Sequence, residues 1–289
     1  MKANPVQVKN VLITGCSSGI GLATARMLRA SGWNVAPTVR KKEDLDTLRA
    51  DGFAPIELDV ADPESVKHAA AAALEQFGGK IGGLVNNAGF GQAGAVEDVN
   101  RETLRRQFEV NVFGAHDLTA RLIPTFRKQG WGRIVNISSV LGRVVIPFFG
   151  SYSAAKYALE ALSDALRVEL SDSGVTVSIV EPGPILTKFR QTSSEIAEKT
   201  LDLANARYGA SYQKGIERRK RLQKDVGPFV RLPEDVSRKI QHALESSRPR
   251  IRYCVTVPAH LGAFAARFVP TRVMDVLWTR AVRRMDAPH

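Results

Sequence analysis

Seven short apolar or β-branched runs recur along the chain, and most are followed by a longer stretch with helical spacing. The runs are 10–14 (NVLIT), 34–39 (NVAPTV), 54–59 (APIELD), 83–86 (GLVN), 132–138 (GRIVNIS), 175–181 (VTVSIVE) and 251–257 (IRYCVTV). Their length and composition predict strands. Stretches between them, such as 21–32 (GLATARMLRASG) and 63–78 (PESVKHAAAAALEQFG), predict helices. The second opens with Asp62 as N-cap, Pro63 at the first helical position and Glu64 in the first turn. Strand–helix alternation predicts βαβ units and a parallel sheet. Seven strands predict one doubly wound α/β domain over 1–289, with helices on both faces. Residues 184–250 break the rhythm: they are polar, basic and helical in pattern, and an insertion there is expected to shape a substrate pocket.

Composition narrows the class. With 44% hydrophobic and 24% charged residues the balance is that of an ordinary globular protein. Cys16 and Cys254 make no disulfide framework and suit a reducing compartment. No apolar run reaches membrane-spanning length. The N-terminal apolar run is too short for a signal peptide and leads directly into a glycine motif, so a cytoplasmic location is expected.

The charge changes this picture: 41 basic against 29 acidic residues leave +12. Such an excess fits nucleic acid, an anionic membrane surface or an anionic cofactor. Much of it lies at 214–224, 247–252 and 280–285. Neither zinc-finger spacing nor an RNA-binding aromatic signature is present, so neither nucleic acid nor metal is expected. The basic amphipathic extension 259–289 is interrupted by Pro270. It is suited to packing on protein, or to peripheral contact with an anionic membrane.

Candidate chemistry begins at the first strand-to-helix turn, TGCSSGIG (14–21), where Gly15, Gly19 and Gly21 stand around Ser17, Ser18 and Ile20. Glycine lets the backbone reach φ > 0 and approach a diphosphate closely, and the helix N-terminus behind it offers free N–H groups. No Lys follows the last glycine, so the turn is not a P-loop. At the end of the second predicted strand, where an acid commonly meets the adenosine ribose, stand Arg40, Lys41 and Lys42. A guanidinium there suits a 2′-phosphate and favours NADP(H); Asp44 nearby keeps NAD(H) open. Tyr152 and Lys156, four apart, share one helix face. The spacing alone fits an ordinary surface pair as well as a tuned acid.

The motifs TGCSSGIG, NNAG (86–89), Asn111 in FEVNVFG, Ser139 in NISSVLG, YSAAK (152–156) and EPGPILT (181–187) follow one another in that order. Together they resemble a classical short-chain dehydrogenase/reductase with a Rossmann fold, over about 8–190. The wording is most similar to the 17β-hydroxysteroid and retinol dehydrogenase branch. The resemblance implies hydride transfer between NADP(H) and an alcohol or ketone, on the pro-S side. It makes Tyr152 the acid/base, with Lys156 lowering its pKa, and Ser139 the partner of the substrate oxygen. Asn111 would hold a water relayed to Lys156; read as a residue alone, it is equally a structural asparagine bonded to backbone. Asp59 and Val60, with Asn86, Ala88 and Gly89, would line the adenosine side. Pro182, Gly183, Ile185 and Thr187 would meet the nicotinamide end. A helix-paired homodimer or homotetramer is usual in the family. Apolar walls at 144–149 (VVIPFF) and 185–189 (ILTKF) suit a hydrophobic steroid-, retinoid- or lipid-like substrate, and suit core packing almost as well. His116 has no nucleophile to pair with and reads as structural or exposed.

Overall fold

The computed structural model describes residues 3–221 and 227–286. Its seven strands are β1 Asn10–Ile13, β2 Asn34–Val39, β3 Ile56–Glu57, β4 Gly83–Asn86, β5 Gly132–Ile137, β6 Val175–Glu181 and β7 Arg252–Cys254. They form one parallel sheet in the order β3-β2-β1-β4-β5-β6-β7. The order reverses between β1 and β4, which opens a crevice at the C-terminal strand ends.

Alternation along the strands builds two cores. In β1, Val11 and Ile13 join one buried cluster while Leu12 joins the other. In β5, Val135 and Ile137 split from Ile134 in the same way. The first cluster is closed by α1 (Gly19–Ala30), α2 (Lys42–Ala50) and α9 (Pro233–Glu245), the second by α3 (Pro63–Gln76) and α5 (Gly114–Gln129). Asp62 caps α3 as expected, accepting the Glu64 N–H at 3.1 Å, with Pro63 behind it.

The remaining helices flank the crevice or follow the sheet: α4 (Arg101–Phe108), α6 (Gly150–Glu169), α7 (Phe189–Thr200), α8 (Gly209–Arg221), α10 (Val257–Phe268) and α11 (Thr271–Asp286). Three sequence expectations shift. The 54–59 strand shrinks to two residues at the sheet edge: Pro55 has no N–H to give, and the Asp59 N–H donates to the Ser65 hydroxyl instead. The 251–257 strand stops at Cys254 because Thr256 caps α10, its hydroxyl accepting the Ala259 N–H. Within 184–250, α9 belongs to the layer over the sheet. Its Val236, Ile240, Ala243 and Leu244 are all fully buried, an i, i+4, i+7, i+8 stripe. Part of the basic run 214–224 lies outside the described residues.

Candidate active site

Thr14 and Asn87 set the glycine turn against the sheet. The Thr14 hydroxyl accepts the N–H groups of Asn87 and Ala88, both at 2.9 Å. The Asn87 amide donates to the carbonyls of Thr14 (2.8 Å) and Gly15 (3.0 Å). Gly15 (φ +73°) and Gly19 (φ +60°) take the left-handed backbone that favours glycine. A Cβ on Gly15 would lie 2.9 Å from the Ala88 Cα, and one on Gly19 would lie 3.1 Å from Thr187. Thus the first turn, the NNAG segment and the PGPILT segment converge. Ser18 precedes α1 without capping it through its side chain, and no acid occupies the first turn. The first N–H groups of α1 therefore keep their capacity for an anion. Ser17 is exposed, and Ile20 packs its side chain on the core.

The residues around this turn divide by where their side chains go. The Cys16 N–H donates to the Thr38 carbonyl (2.8 Å), tying the turn to the end of β2. Arg40 follows β2 there, exposed. Asp59 accepts the Ala61 N–H, and the Val60 carbonyl packs against Gly114. Asn86 is buried, and its amide donates to Thr119 and to Asn136 (both 2.8 Å). These two bonds steady the sheet at the end of β4. Gly183 lies against Thr256, where a Cβ would meet the hydroxyl at 2.1 Å. Ile185 is a core residue rather than a pocket wall, because a bridge to Arg231 turns it inward. Pro182 accepts the Val140 N–H through its carbonyl, and Gly89 lies beside the Asn111 amide.

α6 is alanine-rich and free of β-branched residues until Val168, which favours a long straight helix. Its first turns present Tyr152 and Lys156 on the buried face, 7% and 4% exposed. Ser139 ends the strand-to-helix turn after β5 and is buried as well; its hydroxyl accepts the Leu141 N–H (3.1 Å). The Tyr152 ring packs on Phe189 at 5.5 Å between centroids. Burial pushes the Tyr152 phenol up to about 12, and a hydrogen bond from Ser139 partly offsets this. Lys156 follows Tyr152 by one helix turn on the same buried face. Its Nζ donates to the Ile137 carbonyl (2.8 Å) and stands 5.8 Å from the Tyr152 ring centroid. Burial lowers Lys156 to about 8, and the Glu160 charge opposes that fall.

Asn111 sits in a π-helical turn, Glu109–Phe113, between α4 and α5. Both ends of its amide engage Phe90: Nδ2 donates to the carbonyl (2.9 Å) and Oδ1 accepts the N–H (3.1 Å). His116 is exposed. Sequence reasoning passed over Thr14, Asn87 and Glu160. The first two were visible only as neighbours of the glycines. Glu160 carried a real signal, four residues beyond Lys156 on the same helix face. Among the described residues no cluster of metal-ligating side chains occurs.

Ala95, Val96, Glu97, Pro147, Phe148, Tyr208 and Val282 line an open, mainly apolar cavity of about 480 Å³. Phe148 holds a left-handed φ of 65°, unusual for an aromatic residue, with its ring edge-on to Tyr208 and Tyr212.

Comparison with known proteins agrees with this geometry. Residues 9–198 match the short chain dehydrogenase family model. The chain is 40% identical to the "Uncharacterized oxidoreductase YbbO" of Escherichia coli (strain K12), over 93% of this chain and 94% of that protein. It is 36% identical to "Retinol dehydrogenase 16" of Mus musculus (95% and 89%) and 38% identical to "17-beta-hydroxysteroid dehydrogenase type 6" of Rattus norvegicus (93% and 87%). A solved short chain dehydrogenase/reductase from Burkholderia phymatum, in complex with NAD, superposes with a TM-score of 0.77 at 26% identity (95% and 96%). With a glycine turn at the head of a doubly wound sheet and a buried Tyr-Lys helix beside it, the chain belongs to the short-chain dehydrogenase/reductase family, in the branch of the hydroxysteroid and retinol dehydrogenases.

Proposed function

We propose that the protein is an NADP(H)-preferring oxidoreductase that interconverts a hydrophobic alcohol and its ketone or aldehyde. The observation that carries this is the convergence of Ser139, Tyr152 and Lys156 in one buried site near the glycine turn. The turn supports dinucleotide binding: only glycine at 15, 19 and 21 lets it pack this closely on Ala88, Thr187 and Asn87, with the uncapped N-terminus of α1 behind it. When bound, the nicotinamide ring supplies or accepts hydride at the substrate carbon. Ser139 donates a hydrogen bond to the substrate oxygen. Tyr152 gives that oxygen its phenolic proton in reduction, or takes the alcohol proton in oxidation. A phenol held at about 12 stays protonated through neutral pH, which suits it as the acid of a reduction. Lys156 holds positive charge near the phenol. With the Asn111 amide engaged by Phe90, a relay water toward Lys156 would meet the main chain of the π-helical turn rather than the amide.

Arg40 supports the NADP(H) preference, since it stands exposed at the strand end tied to the glycine turn. A charge-assisted hydrogen bond of about 1.5–3 kcal/mol corresponds to roughly 10- to 100-fold in affinity. Fluorescence titration is expected to show NADPH binding tighter than NADH by that factor, and Arg40→Ser to remove most of the difference. Equal affinities in the native protein would favour the second reading, an NAD-dependent dehydrogenase with Asp44 near the ribose. The solved relative with NAD bound supports that reading. No binding of either nucleotide would leave a non-catalytic protein.

The names of the relatives, retinol and 17β-hydroxysteroid dehydrogenases, support a steroid-, retinoid- or lipid-like substrate. Phe113 on the π-helical turn, with Leu162 and Val168 on α6, are exposed apolar side chains and support a homodimer or homotetramer.

The C-terminal extension supports peripheral contact with an anionic membrane. No described helix is long and apolar enough to cross a bilayer. Yet α10 exposes Val257, Leu261, Phe264 and Phe268 in one stripe, with Arg267 beside it. α11 exposes Val276 and Leu277 among Arg272, Arg280 and Arg283. Flotation with phosphatidylglycerol-containing vesicles is expected to carry the protein upward, and with pure phosphatidylcholine to carry much less. Phe264→Glu/Phe268→Glu is expected to abolish the difference. Equal flotation of this variant and the native protein would overturn the membrane reading.

A further inference from the structure

Behind the catalytic helix lies a buried group of ionisable side chains that the proposed mechanism does not use. Glu160 follows Lys156 by one turn of α6 on the same buried face, and is 5% exposed. Ser138, at the end of β5, points its hydroxyl to the same spot. A Cβ built on Gly142 would lie 2.6 Å from Ser138 Oγ, 3.1 Å from Glu160 Cγ and 3.3 Å from Lys156 Cβ. Three chain segments, the turn after β5 and two successive turns of α6, therefore converge on one point beside the lysine.

The far side of the carboxylate is fixed by β7. Arg252 Nη2 donates to Glu160 Oε2 at 3.0 Å and to Asp164 Oδ2 at 2.7 Å. Its Nε lies 3.1 Å from Glu181 Oε1, too poorly aligned for a hydrogen bond. Arg143 reaches the same Glu181 oxygen at 3.2 Å, and the Cys254 thiol donates to Glu181 Oε2. At the rim Arg167 pairs with Asp164, and the Tyr157 hydroxyl donates to the Arg143 carbonyl. Glu160 Oε1 and Ser138 Oγ, by contrast, are buried near one another beside Gly142, with no well-aligned hydrogen bond closed between them. An arginine paired with three carboxylates would be an elaborate way to pin a helix that is already well packed. One carboxylate oxygen without a closed hydrogen bond, on the same buried helix face one turn from a buried ammonium, has an electrostatic use: it offsets the burial that drives the proton off lysine.

We infer that Glu160 is a positioning residue for the reaction, a fixed counter-charge that keeps Lys156 protonated in its buried setting, with Arg252 holding the carboxylate in place. The inference rests on the role given to Lys156 above. Burial pushes the Glu160 carboxyl up, while Ser138 and Arg252 favour its ionised form against the nearby Glu181. Of the charged groups in the cluster, Glu160 is the one that acts on Lys156.

The sign follows from this. Removing the negative charge makes protonated Lys156 less stable, so its midpoint falls below about 8. A carboxylate one helix turn away, partly balanced by Arg252, corresponds to roughly one pH unit. The test reads Lys156 directly, through the Cε–Hε resonances of protein labelled with ¹³C-lysine, assigned with Lys156→Ala and followed against pH in the full chain. Glu160→Gln is expected to lower the Lys156 midpoint by about one unit, and Glu160→Asp to restore most of it. The alkaline limb of the pH–rate profile is expected to move with the midpoint.

A midpoint that stays put in Glu160→Gln while the melting temperature falls would make Glu160 purely structural and overturn the inference. A midpoint that moves while the pH–rate profile does not would uphold the charge coupling and remove Lys156 from the mechanism instead. If Glu160→Gln fails to fold, Ser138→Ala tests the same coupling. Losing the hydroxyl weakens the ionised carboxylate, so the lysine midpoint falls in the same direction by a smaller amount. No movement there would overturn the inference.

Discussion

Tyr152→Phe is expected to lower turnover by about 10²–10⁴-fold, the usual worth of a positioned acid or base. Dinucleotide affinity is expected to stay within a few-fold of the native value. The substitution removes one oxygen and leaves the ring, so the 5.5 Å packing on Phe189 is kept. The phenol is nearly buried, and Ser139 acts on it. Deleting the oxygen therefore leaves Ser139 without a phenol to orient and the substrate oxygen without a proton donor. The check is kcat from nicotinamide absorbance together with a fluorescence Kd for NADPH. Turnover at the native level would discard the proton-transfer role of Tyr152 altogether. Loss of both turnover and binding would instead indicate that the ring had moved.

Gly21→Ala carries the second large effect, and it acts on structure and binding together. A Cβ at this position would stand 2.3 Å from the Gly15 carbonyl oxygen and 2.6 Å from Asn87 Nδ2. Neither neighbour can yield easily. Gly15 O is backbone in a left-handed turn, and the Asn87 amide is held by two carbonyls of that turn. Overpacking of this kind destabilises by about 1–3 kcal/mol, a fall of several degrees in Tm. The shift also displaces the N-terminus of α1, so NADPH affinity is expected to fall by more than about tenfold, since the anion site and the turn are one structure. Gly227→Ala serves as the contrast. Nothing lies within 4 Å of a Cβ there, and the change is expected to stay within about 0.5 kcal/mol. Melting curves with and without NADPH separate the two contributions. An alanine at 21 that left both Tm and affinity unchanged would mean that the turn opens without loss.

Taken alone, the sequence determined the strand–helix alternation, the parallel sheet, the glycine turn and the Tyr152–Lys156 helix face. Each of these is local. A strand shows itself by β-branched runs, a cap by Asp62 before Pro63, and a helix face by spacing of four. The motif order around them was enough for the family. What the tertiary structure decided depends on neighbours far apart in the chain. Asn86 looks like a crevice residue in NNAG, but Thr119 and Asn136 draw its amide into the sheet. Ile185 looks like a pocket wall, but the bridge to Arg231 turns it to the core. α9 looks like part of a pocket insertion until its apolar stripe is set against α1 and the sheet.

The clearest case is the electrostatics of the site. The family resemblance implies a lysine that lowers the pKa of its tyrosine. Folding buried both groups, so desolvation outweighs their interaction and moves the phenol up and the ammonium down. The carboxylate that acts on the lysine, Glu160, is legible at one helix turn's distance. The arginine that fixes it comes from β7, 92 residues further along the chain. Periodicity reports on neighbours within a turn or a strand; burial and charge pairing are properties of the packed whole, and only the packed whole reveals them.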